Sequence, residues 1–171
     1  EIGVRLVGSE MCIRDRALPM NTNVDMNKLQ DNAVKIFTSG FACSESVIAA
    51  IRDALELDIP DSAIAMSSGF PWGMGGAGCL CGAVAGGAMC IGFLYGRSTP
   101  GDPKINRCFE LTKEFHDKFK KEFGATCCRI LIKDYPDRNS PERKCHCIEM
   151  VKFTVVAVAE ILIREYEKDN A

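Results

Sequence analysis

Cysteines punctuate this 171-residue chain at positions 12, 43, 79, 81, 90, 108, 127, 128, 145 and 147, beside only two histidines, His116 and His146. Sulfur chemistry is therefore the first thing to expect. A thiolate is a nucleophile and a soft metal ligand, and both behaviours depend on a depressed pKa. Disulfide frameworks belong to short, loop-rich secreted chains that cannot bury a core. With 47% apolar and 26% charged residues this chain can bury one, so reduced thiols are expected. Cys127 and Cys128 are adjacent, and Cys79-Leu-Cys81 and Cys145-His-Cys147 are separated by one residue. Such spacings strain an internal disulfide, whereas metal ligation and thiol exchange accommodate them. With so few histidines, any metal would be held mainly by thiolates, which points to zinc, copper(I) or iron–sulfur.

The elements that must position these sulfurs read as helices. Asp25 is an N-cap for a helix carrying Met26, Leu29, Ala33 and Phe37 inward, with Ser39-Gly40 as its stop. Residues 43–57 set Val47, Ile51 and Leu55 on one stripe, with Cys43 in the first turn. Pro60-Asp61-Ser62 opens a short helical turn. Five glycines and a proline fall within Gly69–Cys79, which reads as a close-wrapping loop. From Cys81 to Gly96 the chain reads as a buried central helix whose small residues admit a neighbouring backbone. Ile105, Cys108, Thr112, Phe115 and Phe119 mark the clearest amphipathic helix, over 104–123. Residues 134–144 read as a polar loop, and a last helix begins near Cys147, with Ile148, Val151, Val155, Val158, Leu162 and Tyr166 in period. The expected fold is all-α, a bundle of about five helices with a Gly-rich loop before the central one.

On that reading Cys43, Cys81, Cys128 and Cys147 each stand at or near a helix start, where unpaired amides and the helix dipole favour a thiolate. Four such ends converging would form one site. The Gly-rich stretch would add close-approaching amides for cluster sulfur, with Gly76, Gly78, Gly82 and Gly86 as the cofactor-binding positions. Cys79, Cys127 and Cys145 are auxiliary candidates. Cys90 and Cys108 lie on apolar faces and read as core residues. His116 is assigned to a solvated face, while His146, between two cysteines, is a candidate fifth ligand. Trp72 and Phe70 read as caps over the core.

A net charge of −2, from 21 basic and 23 acidic residues, gives no polyanion-binding excess, so no nucleic-acid partner is expected. Residues 62–96 carry no charge, yet the helical part is about 16 residues, short of the roughly 20 that span a bilayer. A membrane span is not expected. No secretory signal is legible, and a cytoplasmic location is expected. Residues 1–16 resemble an adapter-derived, non-native string and are set aside, Cys12 with them; residues 17–171 are read as a single domain. Phosphate-loop, H-E-x-x-H and G-x-S-x-G motifs are missing from the sequence.

Cys81-Gly-Ala-Val-Ala-Gly86, preceded by Gly73-Met-Gly-Gly76, resembles the C-G-A-x-x-G core of the redox-active proteins named for a C-GCAxxG-C-C cysteine pattern. Cys43 in Phe41-Ala-Cys-Ser-Glu-Ser46 matches the first cysteine of that pattern. Cys128, in Cys128-Arg129-x-Leu131, matches the third, and Cys147 matches the fourth. The likeness covers nearly all of residues 30–165 and implies redox activity. Cysteines 79, 90, 108, 127 and 145 depart from the pattern.

Three chemistries remain open, and beside them a fourth reading in which the cysteines merely fill a core. One is electron transfer through an iron–sulfur cluster or related metal centre on Cys43, Cys81, Cys128 and Cys147. Another is a metal-free thiol–disulfide oxidoreductase, in which Cys81 or Cys128 attacks and Cys79 or Cys127 resolves. The last is a structural zinc or copper(I) module. A redox partner protein is expected, and a homodimer is left open.

Overall fold

A computed structural model describes residues 19–171; the segment 1–16, with Cys12, lies outside the described residues. Five helices of thirteen residues or more make the frame: α1 (Met26–Thr38), α2 (Cys43–Leu55), α5 (Gly82–Tyr95), α6 (Lys104–Phe123) and α8 (Pro141–Asp169). Short helical pieces α3 (Asp61–Ser67), α4 (Pro71–Met74) and α7 (Cys128–Leu131) connect them. Among the described residues there is no strand, only an isolated antiparallel bridge between Leu80 and Cys127.

Helix α1 starts as its sequence dictates, with the Asp25 carboxylate accepting from the amides of Asn27 and Lys28 at 3.0 and 3.3 Å. It buries Leu29, Ala33 and Phe37 against α2 and α8. Helix α5 has no polar face, because it is enclosed by α2, α6 and α8; Ala83, Val84, Ala85, Cys90 and Ile91 are all buried. Its glycines set how close those neighbours come. A Cβ on Gly86 would lie 2.7 Å from the Ser44 carbonyl oxygen, and one on Gly87 would lie 2.6 Å from the Phe115 ring. Helix α6 buries Cys108, Leu111, Phe115 and Phe119, and its Glu114 accepts two hydrogen bonds from Arg164 of α8 at 2.8 and 2.7 Å.

The last helix differs from the sequence expectation. It begins at Pro141, within the stretch read as a polar loop, with Ser140 as N-cap accepting from the Arg143 amide at 3.2 Å. Proline suits the first helical position because its missing N–H would be unpaired there anyway. The first turn, Pro141-Glu-Arg-Lys144, is polar and carries no apolar stripe, so hydrophobic periodicity detects the helix only from Cys147 onward. Cys147 accordingly lies in the second turn of α8, not at its start.

Candidate functional site

The Gly-rich loop is folded by its own backbone. Trp72, Gly73 and Met74 adopt left-handed dihedrals (φ 60, 70 and 61°), so the four residues of α4 are not a regular helix. At Gly73 a Cβ would sit 2.7 Å from Cys128 Cβ and 2.6 Å from the Cys79 amide nitrogen, so only glycine admits this approach. The amides of Gly75, Ala77, Gly78 and Cys79 donate to the carbonyls of Pro71, Met74, Trp72 and Gly73. These four donors are engaged in closing the loop on itself. Gly78 then docks onto the start of α7: its carbonyl accepts from the Arg129 amide at 3.0 Å and from the Cys127 thiol at 3.0 Å. The Cys81 amide donates to the Thr126 carbonyl at 2.8 Å, and the Cys128 amide donates to the Cys79 carbonyl. This zipper brings Cys81, the N-cap of α5, beside Cys128, the first residue of α7.

Gly82 brings in the third sulfur. A Cβ there would lie 3.2 Å from Cys43 Cβ, so this glycine lets the start of α2 settle against the start of α5. Gly82 and Gly86 thus serve the α2–α5 contact. Gly76 lies near the Arg138 guanidinium, 3.9 Å from where its Cβ would be, and Gly78 lines a surface cavity with Trp72, Arg129 and Arg138.

Helix α8 supplies the fourth sulfur. The thiols of Cys43 and Cys147 lie close enough to act on each other's ionisation, and Cys81 and Cys128 lie near enough for their charges to act on the pair. The four pattern cysteines therefore come within electrostatic reach of one another where α2, α5, α7 and α8 converge. All nine described cysteines are free thiols. Cys79 and Cys145 are exposed outside the group, and Cys145, two residues from Cys147, points away around the helix. Cys90 and Cys108 are buried. His146 stacks on Tyr135 with centroids 5.2 Å apart and meets the edge of Phe123. His116 is bonded to Asp117 at 2.9 Å on the outer face of α6.

The electrostatics of the four are unequal. The hydrogen bond to Cys147 and then burial push the Cys43 thiol well above its ordinary value. Burial pushes Cys81 up to about 12, against the pull of the Ala83 and Val84 amides. Cys128 is raised, chiefly by burial. At Cys81 and Cys128 the helix-start position does not depress the thiol, because desolvation of a thiolate outweighs the dipole. Cys147 is the exception, brought down to about 7 by the Cys43 hydrogen bond and by Arg143, with burial opposing. Arg143 Nη1 donates to Cys147 Sγ at 3.4 Å from one helical turn earlier, and its guanidinium lies 4.1 Å from the centroid of the Trp72 ring. Sequence reading missed Arg143. The spacing Arg143-x-x-x-Cys147 is the signal that could have found it, since residues four apart share a helix face.

A cavity of about 350 Å³ opens onto this corner, lined among others by Phe41, Cys43, Trp72, Cys128, Arg143 and Cys147. Among the described residues, no three His, Cys, Asp or Glu side chains are grouped so as to share one metal ion. An iron–sulfur cluster separates its ligands by its own atoms, and four thiols from four segments are the donor set it takes.

A helical bundle that gathers four thiols at one corner, one of them held near neutral pKa, defines a cysteine-based redox protein. The chain belongs to the family described as "Putative redox-active protein (C_GCAxxG_C_C)", whose model matches residues 41–161. No curated protein and no solved structure matched the chain. Among the described residues no helix is long and apolar enough to cross a membrane.

Proposed function

We propose that the protein is a thiol–disulfide oxidoreductase in which Cys147 attacks and Cys43 resolves. The observation that carries this reading is the hydrogen bond from Arg143 Nη1 to Cys147 Sγ, at the wall of a cavity that Cys43 also lines. A thiol with pKa near ambient pH combines a substantial thiolate fraction with undiminished nucleophilicity. The Cys147 thiolate attacks one sulfur of a disulfide, expelling the other as a thiolate and leaving a mixed disulfide. Cys43 then gives its proton to the expelled thiolate and attacks Cys147 Sγ, closing a Cys43–Cys147 disulfide and releasing the second sulfur as a thiolate, which takes a proton from water. The two electrons that reduce the substrate come from the two cysteines, and a dithiol redox partner restores them. Arg143 holds the attacking thiolate and Trp72 holds Arg143. Relative to the sequence reading, the roles move from Cys81 or Cys128 to Cys147, and from Cys79 or Cys127 to Cys43.

A second reading rests on the meeting of all four thiols. Cys43, Cys81, Cys128 and Cys147 would hold an iron–sulfur cluster, which supplies one-electron transfer when bound. Anaerobic purification followed by iron and sulfide analysis separates the two. Metal-free protein whose Cys43→Ser variant accumulates a mixed disulfide on Cys147 supports the exchange reading. Stoichiometric iron and sulfide lost on substituting any of the four cysteines would replace it with the cluster.

A further inference from the structure

The wall of the cavity next to Cys147 carries charge of one sign. Arg143 and Lys144 line it together with Phe37, Phe41 and Trp72, and no carboxylate is among the described residues that do. The adjoining cavity, which shares Trp72 and Ile132, adds Arg129 and Arg138 and again no carboxylate. This is a local excess in a chain of net charge −2, so it is a property of the corner and not of the protein.

Arg143 is 8% exposed, and its Nε has no hydrogen-bond partner among the described residues. A buried guanidinium N–H without a partner is costly, and the fixed fork of donors on arginine matches a carboxylate. One arm of that fork is committed to Cys147 Sγ. An anion accepting from the guanidinium would therefore be set beside the attacking sulfur. The apolar walls of Phe37, Phe41 and Trp72 suit an uncharged stem, and about 350 Å³ lies in the range of small-molecule sites, roughly 300–1,000 Å³.

We infer that the substrate is a low-molecular-weight disulfide bearing a carboxylate, with Arg143 and Lys144 holding the carboxylate while Cys147 attacks the sulfur. This rests on the exchange reading above and deepens it by naming the substrate class. The bond that breaks is the substrate S–S bond. The bonds that form in turn are Cys147–substrate and Cys43–Cys147, and two carboxylate-bearing thiols leave with the two electrons supplied by the cysteines.

The test is single turnover of fully reduced protein against three aliphatic disulfides differing in charge: dithiodipropionate, hydroxyethyl disulfide and cystamine. Each rate is divided by the rate with a free small thiol under the same conditions. The anionic disulfide is expected to be favoured over the neutral one by about tenfold or more, the size of one charge-assisted hydrogen bond, with the cationic one slowest. Because a change in Cys147 ionisation alters all three rates alike, the anionic-to-neutral ratio isolates recognition. That ratio should collapse towards one in Arg143→Gln and fall severalfold in Lys144→Gln. Lys144 is exposed, so the second variant serves even if the first fails to fold, and Arg143→Lys should retain part of the preference. Rates that follow the free thiol for all three disulfides, or a ratio unchanged in Lys144→Gln and Arg143→Lys, would overturn the inference and leave the exchange reading standing. Folded protein that reduces none of the three would overturn both.

Discussion

Cys147 is the thiol whose reactivity follows most directly from its neighbours. With its pKa near 7 against an ordinary 9.0, about half of it is thiolate at pH 7, compared with about one part in a hundred for an unperturbed thiol, a gain of roughly 50-fold. The less basic thiolate is also a weaker nucleophile. For a Brønsted slope of about 0.4–0.5, two pK units cost about 6–10-fold, so the net advantage at pH 7 is about 5–8-fold. Cys147 is only 5% exposed, which damps the absolute rate for any reagent, so the midpoint of the pH profile is the quantity to measure. Iodoacetamide labelling of Cys147, followed by peptide mass spectrometry through the neutral and alkaline range, should show a midpoint near 7. Cys43→Ala should raise that midpoint most, since the hydrogen bond from Cys43 is the leading cause of the shift, and Arg143→Gln should raise it less. A wild-type midpoint at the ordinary value of 9.0, or a midpoint near 7 that neither substitution moves, would refute the reasoning.

Other consequences concern stability. Burial pushes Cys90 and Cys81 up to about 12, so each buried neutral thiol stabilises the fold fully below the unfolded-state value of 9.0. That contribution is lost as pH rises towards 12, by up to about 4 kcal/mol per group. Thermal denaturation of Cys90→Ala should therefore show a flatter alkaline limb than wild type. Gly86→Ala drives a methyl into the Ser44 backbone and should cost about 1–3 kcal/mol. Gly92→Ala, where a Cβ meets nothing within 4 Å, should gain about 0.5–1 kcal/mol from helix propensity; urea titration of the two variants measures the contrast. Thr154 is fully buried, and its hydroxyl has no hydrogen-bond partner among the described residues. Thr154→Val should raise the melting temperature, or at least leave it unchanged, since it removes a buried polar group worth about 1–3 kcal/mol when unsatisfied.

Periodicity and punctuation in the sequence located α1, α2 and α6, through the Asp25 cap and apolar stripes with a 3.6-residue period, and an uncharged run of small residues located α5. The start of α8 was harder to read, because its first turn is polar and its signal is the Ser140 cap with Pro141, two residues among many in a charged stretch.

What each sulfur can do is not a local property. Cys43, Cys81 and Cys128 begin helices, a feature that by itself favours thiolate, yet Cys147 beside Cys43, and the loss of water around Cys81 and Cys128, reverse the effect. Cys147 lies deeper in its helix but receives a hydrogen bond from the start of α2 and a guanidinium held over the Trp72 ring. Residue types and spacing thus determined that this chain is a helical, cysteine-based protein of a redox family. Only the tertiary structure decided which thiol ionises, because desolvation and Coulomb interactions depend on what packs nearby in space: Arg143 is a local neighbour of Cys147, but Cys43 and the Trp72 ring under the guanidinium lie more than seventy residues away along the chain.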